Sequence, residues 1–213
     1  MANVRAAKIS KHPAAEECVM LTATHTHSGP VMTDNVGNAA DPVVPKADQN
    51  YLQWLADRIV TAAVKAVNSA VPAEIGLAVA QAEGVGSNRH VPAGPTDPQV
   101  PVLVARSVST REPVACMVIY GMHPTVLHED SRLLSADFPF FTRRWLRERV
   151  LSASCPVIYH QGASGNQSPR HVAAANTFAR AQRVGENLGR AIAAAIARWA
   201  LVRSTRFAAG DDS

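Results

Sequence analysis

The stretch TATHTHSGP, residues 22–30, follows an apolar run, Cys18-Val19-Met20-Leu21, and places two imidazoles, His25 and His27, one residue apart before a Ser-Gly-Pro turn. The apolar lead predicts a buried strand over 18–24. In an extended strand, side chains two apart share a face, so both rings offer nitrogens to one side while Thr24 and Thr26 face the other. A metal ion can take both nitrogens, or one ring binds metal and the other touches substrate. Zn²⁺ accepts His nitrogen at roughly 2.0–2.1 Å. Taken alone, the HxH pattern also reads as an ordinary pair of strand histidines.

Outward from this stretch, strand and helix signals alternate. Residues 28–47 carry Gly29, Pro30, Gly37, Pro42 and Pro45 and read as one long loop. Asp48 is the expected N-cap of a helix to about Ser69, with Leu52, Leu55, Ile59, Ala63 and Val67 as its apolar stripe. Strands are expected over 74–82, 100–106 and 113–120, the last two joined as a hairpin by the polar link 107–112. A helix is expected over 138–150, with Asp137 as N-cap and Pro139 in its first turn. A short strand over 157–159 follows. A long helix over 172–199 carries Val184, Leu188, Ile192 and Ile196 on its buried stripe. This order predicts an α/β fold, a layered mixed sheet flanked by helices in a single domain over 1–200, with a frayed tail over 201–213. Polar, Gly-rich segments follow the strands at 24, 82, 120 and 159. Ligand sites of open α/β sheets collect outside the carboxyl ends of strands, so these loops are expected to converge.

Composition narrows the function. The chain has 213 residues, of which 47 % are hydrophobic, enough for a sizeable core. No run approaches the roughly 18 apolar residues of a membrane span. The N-terminus lacks an apolar h-region, so no signal peptide is expected and the compartment stays open. The net charge of +4 is thinly spread and aromatics make up only 5 %. That pattern argues against a nucleic-acid surface and for solvated helix faces. Cys18, Cys116 and Cys155 form no CxxC pair and read as small buried hydrophobes.

Other segments add reactive groups. His123 ends the apolar run ACMVIYGM and precedes Pro124, which favours extended backbone at His123. His128, Glu129, Asp130 and Asp137 follow within fifteen residues, and His160 ends a third strand. Histidines at three strand ends point to a metal or catalytic site. A hydrolytic zinc site normally needs a third protein ligand, for which Asp137, His27, His128 and Glu129 are candidates. Arg89, in SNRH, is either a surface charge or an anchor for a carboxylate or carbonyl. Ser168, in GNQSP, is a nucleophile, a substrate-orienting hydroxyl, or the N-cap of the long helix with Pro169 at its first position.

Taken together, VMLTATHTHSGP (19–30), SNRH (87–90), GMHPTVL (121–127), SADFP (135–139) and GASGNQSP (162–169) resemble the N-terminal domain of the neutral/alkaline ceramidases. The likeness runs over about residues 4–196. It implies a zinc amidase that cleaves the N-acyl bond of ceramide-like lipids to sphingosine and fatty acid. By the same resemblance His25 and His123 are zinc ligands, His27 contacts the reacting group, Arg89 lines the site, and Ser168 matches a serine once proposed as nucleophile. His90 stands where the family often has Ser, and Asn166 where it has Asp. The implied partner is a lipid amide, with peripheral membrane-surface contact and no nucleic acid. The family's remaining zinc ligands, a Glu and a Tyr, come from a region beyond these motifs, and the family has earlier strands ahead of the HTHSGP stretch, so by this resemblance the chain looks truncated at both ends. A truncated relative that folds and binds metal without turnover is the alternative. A serine hydrolase pairing Ser168 with His160 or His171 is a third reading.

Overall fold

The computed structural model describes residues 20–33, 46–128, 131–198 and 200–201. They fall into two compact units, one containing residues 30–71 and the other containing Thr22–Gly29 and the chain from Pro72 onward. The predicted strand residues 18–19, most of the long loop, Glu129, Asp130 and the expected C-terminal tail beyond Leu201 lie outside the described residues.

The first unit holds helix α1 (Gln49–Asn68). Asp48 caps it as the sequence requires, its carboxylate accepting the Asn50 and Tyr51 N–H groups at 2.8 and 3.1 Å. Leu52, Leu55, Ile59, Ala63 and Val67 all fall among its half-buried residues.

The second unit is a two-layer α/β domain. Its strands are β1 (Ala73–Gln81), β2 (Ser87–Asn88), β3 (Gln99–Ser107), β4 (Pro113–Tyr120), β5 (Val157–Gln161), β6 (Gln167–Ser168) and β7 (Ala200–Leu201). Helix α2 (Asp137–Arg149) falls between β4 and β5, and α3 (Phe178–Ile196) between β6 and β7. Four long strands, with the two-residue β7 at the edge, form a mixed sheet in the order β5-β4-β3-β1-β7. The β3–β4 hairpin is antiparallel, β1 is antiparallel to β3, and β5 is parallel to β4. Hence β1, β4 and β5 point the same way and release their following loops at one edge. The separate β2–β6 ladder joins two of those loops.

Period-two patterning explains the layers. Val102, Val104, Cys116, Val118, Val157 and Tyr159 are buried on the face covered by α2 and α3. The opposite face carries the cross-strand row Leu77, Leu103, Met117 and Ile158, with Leu77 and Ile158 about half exposed at 49 % and 51 %. Cys116 and Cys155 are buried and unpaired, in keeping with small hydrophobes. No helix among the described residues is long and apolar enough to cross a membrane.

Three expectations need correction. Residues 20–24 form no strand, and Met20 and Leu21 are exposed at 66 % and 41 %; sheet neighbours, not local hydrophobicity, decide strand formation. The long helix begins at Phe178 rather than 172 and is capped by Thr177, whose side chain accepts the Arg180 N–H. Ser168 is therefore not its N-cap: it sits in β6, ten residues upstream of the helix. Helix α2 begins at Asp137, with Ala136 as a cap lacking a side-chain bond. The Asp137 carboxylate takes the neighbouring Phe138 N–H at 2.7 Å instead.

Gly185 of α3 lets the two helices touch. A Cβ there would lie 2.5 Å from the Phe138 carbonyl oxygen and 2.9 Å from the Thr142 nitrogen. Gly185→Ala gains about 1 kcal/mol of helix propensity but overpacks against backbone, which costs typically 1–3 kcal/mol. The expected net effect is destabilisation, read as a lower thermal midpoint; an unchanged or raised midpoint would contradict the close α2–α3 contact.

Glu74 on β1 pairs with Arg106 at 2.9 Å and Arg111 at 2.8 Å. Hydrogen bonds from Arg111 and then Arg106 hold its carboxyl below the ordinary 4.5. A depressed carboxyl contributes fully above that ordinary value and loses its contribution as pH falls below it. Glu74→Gln should therefore lower stability slightly at neutral pH. In thermal scans its midpoint should converge on the parent's as pH falls through the acid range.

Candidate metal centre

The site forms where β1, β4 and β5 release their loops. His123 leaves β4 after Gly121 and is buried. Gly121 is required there, because a Cβ would lie 2.4 Å from the Ala163 carbonyl oxygen. The His123 backbone N–H donates to the Gln167 carbonyl at 3.0 Å. Its Nδ1 lies 2.9 Å from the Ser164 carbonyl oxygen and 3.1 Å from that of Gln167. Carbonyl oxygens only accept, so Nδ1 carries the proton and Nε2 keeps a lone pair. A carbonyl-held N–H of this kind fixes tautomer and ring direction in metal-ligating histidines.

His25 and His27 arrive on a segment outside the sheet. Thr22 Oγ1 meets His160 Nδ1 at 2.5 Å. Thr26 Oγ1 donates to the Ser135 carbonyl at 2.7 Å. His25 has φ +61, so the two rings do not share a face by strand pleating. A left-handed turn at His25 brings them together instead, and such a backbone costs a non-glycine residue on the order of 1–3 kcal/mol.

The three imidazoles converge. Ring centroids lie 4.6 Å apart for His25 and His123, 4.9 Å for His25 and His27, and 5.5 Å for His27 and His123. One nitrogen from each lies within 4.8 Å of the others. The Nε2 atoms of His25 and His27 are 3.3 Å apart. Tetrahedral zinc with Zn–N near 2.0–2.1 Å separates its nitrogens by about 3.3 Å, the spacing of the His25–His27 pair, and the three imidazoles together form a group that could hold a metal ion. Burial, then the His123, His27 and Arg89 charges, pushes the His25 pKa below 6.5. Neutral imidazole is the form that binds metal.

Around the cluster, Arg89 follows β2 and is half buried. Its backbone N–H donates to the Asn166 carbonyl at 2.8 Å and its Nε to that of Gly165 at 3.0 Å. Ser168 is buried, and its Oγ accepts the Arg170 N–H at 3.2 Å. Among the described residues the other suggested groups do not join the cluster. His128 is exposed and His160 is engaged with Thr22. Asp137 is fully buried, with its carboxylate on the Leu127 and Phe138 N–H groups.

Two organising residues escaped the sequence reading. Gln167 donates from Nε2 to the Gly121 carbonyl at 2.7 Å and accepts the Asp97 N–H at 2.8 Å, tying three loops together. Asn88 accepts the His90 and Val91 N–H groups, both at 3.0 Å, and donates to the Pro95 carbonyl at 2.9 Å. An amide inside a Gly-rich segment was the available signal for each.

No protein-family model and no curated protein sequence matches the chain. Solved structures do. A ceramidase complexed with C2 superimposes with a TM-score of 0.74 at 18 % identity over 92 % of this chain. The neutral ceramidase from Pseudomonas aeruginosa does so with a TM-score of 0.73 at 19 % identity, again over 92 %. The chain has the fold of a neutral ceramidase domain. It spans about a third of the length of those ceramidases, 33 % and 34 % respectively. The ceramidase fold was expected from the five motifs, and in it SNRH and GASGNQSP meet as the β2–β6 ladder.

Desolvation and the neighbouring positive charges disfavour the His25 imidazolium. In NMR titrations of the metal-free protein, His25 should have its midpoint below 6.5, and Arg89→Ala should move that midpoint upward. An unshifted parent midpoint would contradict the cluster's electrostatics.

Proposed function

We propose that this chain is the histidine-bearing part of a zinc-dependent amide hydrolase of the ceramidase type, acting on the N-acyl bond of ceramide-like lipids. The observation that carries this reading is the convergence of His25, His27 and His123 at the carboxyl edge of a ceramidase-like sheet. The lipid amide itself comes from the motif resemblance and from what those neighbours are called.

In this reading His25 and His123 hold the zinc through neutral imidazole nitrogens, and His27 faces the reacting group. Bound zinc supplies a Lewis acid for the amide carbonyl and a water of lowered pKa. Arg89, whose charge already reaches His25, favours negative charge developing on the carbonyl oxygen. Its bond to Gly165 fixes the guanidinium. Ser168 is a wall and orienting residue; its buried hydroxyl accepts a backbone N–H, and His160 is engaged elsewhere, which disfavours the serine-hydrolase reading.

A second reading has its own support. Among the described residues, the cluster contains imidazoles and no carboxylate. A relative that binds metal without turnover fits that donor set.

Zinc analysis and chelator competition on purified protein, paired with hydrolysis of a fluorescent N-acyl sphingosine, separate the two. The ceramidase reading expects zinc and chelator-sensitive turnover together, whereas zinc without turnover selects the second. His25→Ala and His123→Ala should each weaken zinc binding more than about 100-fold, beyond the 10- to 100-fold typical of outer-shell changes. Parent-like zinc affinity in both variants would refute the assignment.

A further inference from the structure

The histidine-bearing segments 22–29 and 121–128 are distant in sequence, and no sheet ladder joins them. Yet a short bracket touches both. The Ser135 carbonyl accepts from Thr26 Oγ1 at 2.7 Å, and the Ser135 N–H donates to the Ser28 carbonyl at 2.9 Å. These bonds grip the residues on either side of His27. Ser135 Oγ accepts the Asp137 N–H at 2.9 Å. Asp137 Oδ2 then accepts the Leu127 N–H at 2.8 Å, four residues beyond His123. Its Oδ1 accepts the Phe138 N–H at 2.7 Å.

We propose that Ser135 and Asp137 are positioning residues that set the distance between the His25–His27 pair and His123. The bracket is anchored at the start of α2, whose Phe138, Phe141 and Leu146 are buried in the core. A rigid element thereby fixes a site carried on loops. Asp137 has no solvent exposure and a φ of +54. Strained backbone of this kind persists only where the surroundings over-determine it. His25, at φ +61, directly precedes Thr26, which the bracket bonds. Asp137 must be a carboxylate because each oxygen takes a separate backbone N–H. An amide offers one acceptor and turns an NH₂ donor toward the other N–H.

The metal consequence rests on the zinc reading above; the geometric consequence does not. Thr26→Val keeps the side-chain shape and removes the hydroxyl that reaches Ser135. Asp137→Asn removes one acceptor. Neither changes a metal donor. Two readouts apply to folded variants: nuclear Overhauser contacts between the His25 and His123 rings without metal, and zinc affinity by chelator competition with the Co²⁺ visible spectrum. The proposal expects weakened ring–ring contacts, at least about tenfold weaker zinc binding, an altered Co²⁺ spectrum, and a double variant no worse than the stronger single one. If Asp137→Asn fails to fold, Thr26→Val alone decides. Parent-like ring contacts in Thr26→Val overturn the proposal whatever the metal does. If the parent binds no zinc, the metal reading falls, and the ring contacts still judge the bracket.

Discussion

The parallel ladder between β4 and β5 places the reactive groups of this chain. It lays Tyr120 beside Gln161, so both strands release their loops side by side, one toward His123 and the other toward Ser164 and Gln167. The close passage at Gly121, where even a methyl group would strike the Ala163 carbonyl, lets the second loop fold over the first. From it the His123 ring receives two carbonyl acceptors, so Nδ1 carries the proton and Nε2 keeps its lone pair. A pre-set tautomer lowers the cost of binding, because neither ring rotation nor proton relocation remains to be done.

The site joins elements with different rigidity. His123 hangs from the sheet, and Arg89 is tied by the β2–β6 ladder and the Gly165 carbonyl. The HxH segment has no strand partners and is held by the Thr22 and Thr26 hydroxyls, on His160 and the Ser135 carbonyl, and by the Ser135 N–H on the Ser28 carbonyl. Burial first, and then the neighbouring His123, His27 and Arg89 charges, keep His25 neutral to lower pH. The cluster therefore suits a cation or an anionic reaction centre better than it suits its own protonated form.

Sequence identity to the ceramidase structures of the same fold is low, 18–19 % across a superposition covering 92 % of the chain. A core can hold its shape through such change when apolar patterning and volume persist. The alternating valines of β3 and β4 and the buried stripe of α3, Val184, Leu188 and Ile192, are that pattern here.

The elements that follow from local chemistry were legible in residues alone. Asp48 announced α1, the 107–112 link announced the hairpin, and period-two apolar runs announced β1, β3 and β4. The HxH motif and His123 were legible as candidates because imidazoles at such positions need a reason. Illegible were the turn at His25, the late start of α3 at Phe178, the two-residue ladder of β2 with β6, and the work of Gln167 and Ser135. The β2–β6 ladder and the bonds of Gln167 and Ser135 are made to partners far away in the chain, whereas the α3 cap is local, Thr177 holding the Arg180 N–H. Sequence determined which residues are apolar, capped or ligand-competent, since those are properties of side chains and near neighbours. Only the tertiary structure decided that residues 25, 27 and 123 meet, because their spacing comes from a parallel strand pair and a buried carboxylate, neither of which leaves a periodic trace.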